Sequence, residues 1–152
     1  MRKQAVIILT LVMSFSATWL LSCASDSDKA PNQPGQEGEI TTSVDHITGR
    51  SGDFLMSAVY DKSIDWTPGA SNDLIVSSII VPIDSDDFSF SHIMQEMDSL
   101  GQETGVEKTF AAGTYSVLFF VGESNNPPDT YAEIRATVDG DINVEAPPWG
   151  SW

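Results

Sequence analysis

The sequence predicts an all-β chain: an antiparallel β-sandwich of immunoglobulin-like or transthyretin-like type, with one short helix in a crossover. Three observations lead there. From Ile40 onward, apolar residues recur largely with period two. The β-branched and aromatic runs are short, and Gly, Pro, Asn and Asp turns separate them. Residues 40–152 are about the length of one sandwich domain.

Each element has its own local reason. Ile40–Ile47 alternates loosely, is β-branched, and stops at Gly49. Phe54–Tyr60 is a strand between Gly52-Asp53 and Asp61-Lys62. Lys62–Asp73 reads as a long loop carrying Trp66, Pro68 and Gly69. Leu74–Ile83 is central in character until Pro82, which cannot donate to a ladder and so marks an edge, a bulge or the strand end. Asp87–Ser91 is a short strand. Ser91 then suits a helix N-cap. Ile93, Met94, Met97 and Leu100 follow at helical spacing, and Gly101 stands where a helix-ending glycine belongs. Val106–Ala111 and Thr114–Gly122 are strands, the second being the most apolar stretch after the N-terminal run. Glu123–Asp129 is a turn-forming loop. In Tyr131–Val138, Ala132, Ile134, Ala136 and Val138 face one way. Asp139-Gly140 is a hairpin-type turn, after which Ile142, Val144 and Ala146 alternate. The expected core holds Phe54, Met56, Val59, Ile75, Ile79, Val81, Tyr115, Val117, Phe119, Ile134 and Val138.

Charge bounds the function. Seven basic and 22 acidic side chains give a formal charge of −15. No basic patch forms, which excludes a nucleic-acid partner, since phosphate contacts need Lys and Arg. Electrostatic docking on anionic lipid is excluded for the same reason. One cysteine excludes an internal disulfide framework and a cysteine-based zinc site.

The N-terminus carries an address. Arg2 and Lys3 precede the apolar run Ala5–Leu21, and Leu20-Leu21-Ser22-Cys23 closes it. A basic start, an apolar stretch and small residues after it are the pattern of a secretory signal peptide. The last four residues resemble the lipobox of bacterial lipoproteins, and the only cysteine stands where that pattern needs it. The resemblance covers residues 1–23 alone. It implies cleavage before Cys23, acyl chains on its thiol and new amine, and anchoring in the cell envelope. Ala24, in place of an inner-membrane-retaining Asp, points to an outer membrane. Two other readings stand beside it. The run is short for a spanning helix of about 20 residues. Cutting after Ala24 would instead release a soluble secreted chain. Residues 23–39, with no aliphatic side chain larger than alanine, read as a disordered tether. The expected division is signal peptide 1–22, tether 23–39 and sandwich 40–152.

Candidate sites are few. Asp84, Asp86 and Asp87 crowd one loop, and Asp139, Asp141, Asn143 and Glu145 recur at every second residue. If the two loops met at one end of the sandwich, their oxygens would suit Ca²⁺; otherwise they form a solvated acidic surface. His46 and His92 show no metal spacing. Trp66 in its Pro-Gly loop, and Trp149 and Trp152 in the tail, form either stacking platforms for a glycan or protein partner or covers over the sandwich. No nucleophile elbow, phosphate loop or dinucleotide fingerprint occurs. The expectation is a non-catalytic binding or structural lipoprotein with no cofactor. The alternatives are a small carbohydrate-active hydrolase using carboxylates, or a Ca²⁺-stabilised adhesion module.

Overall fold

The computed structural model describes residues 35–62, 65–123 and 129–152. The predicted signal peptide, Cys23 and most of the tether lie outside them. Ten strands form among the described residues: β1 (Gly38–Thr48), β2 (Phe54–Tyr60), β3 (Ile75–Pro82), β4 (Asp87–Ile93), β5 (Gln95–Met97), β6 (Glu103–Glu107), β7 (Thr109–Phe110), β8 (Gly113–Gly122), β9 (Thr130–Val138) and β10 (Ile142–Glu145). One sheet runs β3-β2-β8-β9; the other runs β10-β1-β4, with β7 also on β1; β5 and β6 pair as a separate hairpin. This is the predicted all-β sandwich. One pair, β1 with β10, is parallel; the others are antiparallel.

The core lies between the two sheets. Leu55, Val59, Val117, Phe119 and Val121 point into it from one side, and Ile40, Val44 and Ile47 from the other. On β2 the inward residues are odd-numbered, so Phe54 and Met56 leave the expected core list and Leu55 replaces them. Ile75 and Met56 pack instead on a second apolar cluster with Ala58, Tyr60 and Leu118. The central strands β2 and β8 are thus covered on both faces. That is why Thr114–Gly122 is continuously apolar rather than alternating.

The helix expected over Ser91–Gly101 does not form. Ser91, His92 and Ile93 continue β4 and pair with Ser43, Thr42 and Thr41. Met94 is fully buried; its N–H donates to the Ile40 carbonyl (2.9 Å), and its own carbonyl accepts from the Lys108 N–H (3.0 Å). Leu100, the last residue of the supposed apolar stripe, is 80% exposed in a turn. There the Asp98 carboxylate accepts from the Leu100 and Gln102 N–H groups. A short isolated helix is marginal in water, and ladder pairing plus burial of Met94 outweighs it. The one helical turn among the described residues is a 3₁₀ turn at Asn72–Leu74, where the Ser71 hydroxyl caps the Asp73 N–H.

The Asp139-Gly140 turn does not make a hairpin within one sheet. It carries the chain across the sandwich, from β9 in one sheet to β10 in the other. Val138 and Val144 therefore reach the same core from opposite sides.

The domain begins before Ile40. The Gln36 N–H donates to the Asp139 carboxylate (3.0 Å) and the Glu39 N–H to Asp141 (3.0 Å). Gly140 N–H donates to the Gln36 carbonyl (3.0 Å), and Gly38 pairs with Phe110. A Cβ on Gly38 would run into the Gly140 backbone. Residues 35–39 thus belong to the fold rather than to a tether, although their composition is that of a linker.

Candidate functional site

The outer face of β3-β2-β8-β9 gathers the aromatics that the core does not use. Cross-strand register sets Ile80, Met56, Phe120 and Tyr131 in one row across all four strands. Ile80 is 62% exposed and Tyr131 46%. Trp66, on the loop between β2 and β3, lies over this row. Its ring meets Tyr60 (6.3 Å), Phe120 (6.3 Å) and Tyr131 (5.4 Å) edge-on, the arrangement that aromatic quadrupoles favour.

A polar clasp holds the loop down. Arg135 donates to the Asp65 carboxylate (2.7 Å) and to the Ser116 hydroxyl (2.8 Å). Ser116 in turn donates to Glu133 (2.9 Å), while the Trp66 N–H reaches the same hydroxyl at 3.4 Å. Between loop and sheet opens a cleft of about 380 Å³ lined by Met56, Tyr60, Trp66, Gly69, Ala70, Asn72 and Phe120. The lining offers apolar and aromatic contact area, one amide and one phenol. Such a surface is suited to contact and orientation of a ligand.

Sequence reasoning named Trp66 and missed its partners. Tyr60, Phe120 and Tyr131 occupy even or odd positions according to their strand, and the parity showing which face each takes is hidden where both faces are apolar.

Trp149 and Trp152 take the covering role. The tail folds back on the core, with Trp152 over Phe119 (6.2 Å) and its indole N–H donating to the Pro147 carbonyl (2.8 Å). Trp149 meets Trp152 at 5.1 Å, and the Arg50 guanidinium lies 5.7 Å from the Trp149 ring. Arg50 also pairs with Asp53 and, through Nη2, with both carboxylate oxygens of Asp129 (2.9 and 3.0 Å). The hydrogen bonds from Arg50 hold the Asp129 carboxyl below its ordinary range. A carboxyl so held is ill suited to act as the general acid that glycoside hydrolysis requires.

The acidic loops do not meet. Asp87 pairs with Thr48 at one end of β1, while Ile142, just after Asp139 and Asp141, pairs with Ile40 at the other. At about 3.3 Å per residue this separates them by about 26 Å. Among the described residues no three carboxylate, imidazole or thiol groups gather to hold a metal ion. Asp139 and Asp141 instead bind backbone N–H groups of the entering chain. Glu107, then slight burial and Asp141, push the Glu39 carboxyl above its ordinary range. Asp84 and Asp86 are exposed, and the Asp87 carboxylate accepts from the His46 Nδ1–H at 2.7 Å. His46 stands at the β1 bulge with a positive φ of 52°. Asp87, then Asp45, raise its pKa. His92 contacts Glu103 at 2.7 Å and stacks on Phe90. We expect the melting temperature in millimolar Ca²⁺ to equal that in Na⁺ at matched ionic strength. A calcium-specific rise of several degrees, removed by Asp86→Asn or Asp141→Asn, would contradict this placement.

Compared with known proteins, the chain matches no protein-family model, no curated protein and no solved structure.

Proposed function

We propose that this chain is a bacterial envelope lipoprotein, anchored through acyl chains on Cys23, whose β-sandwich is a non-catalytic binding module for a protein or glycan partner. The observation that carries the anchoring is the Leu20-Leu21-Ser22-Cys23 run at the end of an apolar segment, with the only cysteine of the chain in its last position. Several acyl chains give stable attachment, at about 0.8 kcal/mol per buried CH₂. Loss of residues 1–22 removes Arg2 and Lys3 but no acid, so the mature chain is more acidic still. A negative module on an anionic bilayer is repelled from the surface, which favours presentation to a partner outside the headgroup layer. The aromatic cleft beneath Trp66 supports the binding role: it combines stacking faces with one amide and one phenol.

The test is acyl labelling in the producing cell. The native chain takes up labelled fatty acid and fractionates with membranes. Cys23→Ala abolishes the label and leaves an uncleaved precursor. Labelling that persists in Cys23→Ala would overturn the reading.

A further inference from the structure

Among the described residues, strand β9 is an outer strand of its sheet and pairs only with β8. Exposed edges template further strands unless they are short, bulged, proline-bearing or covered. The other edges carry such protection. β10 has four residues, β3 holds Pro82 and lies beside the β5–β6 hairpin, and β4 runs along a bulge. β9 has nine residues, no proline and an unbroken register with β8. Beside its first half, from Asp129 to Glu133, lies an open cleft of about 520 Å³ whose other wall is Pro147, Ser151 and Trp152. The edge is accessible there.

The sequence of this edge is self-complementary. It reads Tyr131-Ala132-Glu133-Ile134-Arg135-Ala136-Thr137, with opposite charges placed evenly about Ile134. Antiparallel strands related by a two-fold axis at Ile134 set Glu133 against the partner's Arg135, and Arg135 against the partner's Glu133. Ala132 and Ala136 then oppose each other, both small and both turned toward the core. Directly opposed residues share a face, so both charge pairs lie on the outer side, where Glu133 and Arg135 are exposed. Five N–H donors let one guanidinium serve its own Asp65 and a partner's carboxylate together. Each chain carries a formal −15, but at physiological salt the Debye length of about 8 Å leaves close pairs dominant over the distant repulsion.

We propose that two copies of this chain associate by antiparallel pairing of β9 about a two-fold axis at Ile134, continuing the β3-β2-β8-β9 sheet from one copy to the next. Isologous pairing of this kind uses the same patch on both copies and closes at the dimer. It also places the two Tyr131 rows on one continuous outer face.

The test is sedimentation of the full chain in density-matched detergent. The native chain sediments mainly as a dimer at concentrations of about 100 µM, which corresponds to a Kd of about 10 µM or tighter. Arg135→Glu sets like charges opposite each other twice and raises the dimer Kd about tenfold or more. The exchange Glu133→Arg with Arg135→Glu restores the opposed pairs and returns the Kd to near the native value. The exchange cannot restore the Asp65 ion pair, so recovery is specific to the interface. A native chain that stays monomeric overturns the proposal. So does a dimer insensitive to Arg135→Glu, or an exchanged variant that remains as weak as the single one.

Discussion

Phe119→Ala destabilises the domain by about 3–5 kcal/mol, the largest single effect the fold implies. Phe119 is fully buried at the centre of β8, flanked by β2 and β9, and touched by Trp152 from the folded-back tail. Its ring joins both sheets and the tail, so truncation leaves a cavity that no single neighbour can fill. Part of the cost is transfer of apolar surface and part is the unfilled space. In urea this lowers the midpoint by about 2 M with little change in slope. A loss under about 1 kcal/mol would mean that the sheets do not meet at this residue.

Trp66→Ala comes next, at about 2–3 kcal/mol, because the ring is only half-buried and its loss exposes existing surface rather than opening a closed void. The contacts with Tyr60, Phe120 and Tyr131 go together. The outer faces of Ala58 and Leu118, now fully buried, become wet. The same substitution removes one wall of the cleft. Denaturant unfolding checks the first effect. For the second, Tyr131→Ala provides the contrast, since its half-exposed ring lies outside the cleft lining and costs less. Equal, small losses for both variants would mean that the Trp66 loop does not cover the sheet.

Much of the fold was legible because alternation is a local signal. β9 and β10 show it cleanly, and Val59, Tyr115, Val117, Phe119 and Val138 stand in the predicted core. Legibility failed where long-range pairing decides the outcome. Ser91–Leu100 carries the spacing of a helix, yet β1 claims its first half as a strand and β6 its middle. Asp139-Gly140 reads as a hairpin turn, but the partner of β10 is β1, about a hundred residues earlier in the chain. Composition also misled at residues 35–39, whose backbone is held by carboxylates of that same turn. Of the candidate site residues, Trp66 proved to sit over a cleft, whereas Trp149 and Trp152 cover the core. The acidic loops could not be placed from sequence, because separation along a strand depends on a register that only the folded sheet supplies. No periodicity announced Arg50, which joins Asp53, Asp129 and Trp149 from three separate segments.

The anchored-lipoprotein reading rests on one residue, and the mass of the protein purified from its own membranes interrogates that residue directly. The account predicts an N-terminal peptide beginning at Cys23 and carrying a thioether-linked diacylglycerol together with an amide-linked fatty acid. An N-terminus at Met1, or an unmodified one at Ser25, would contradict it.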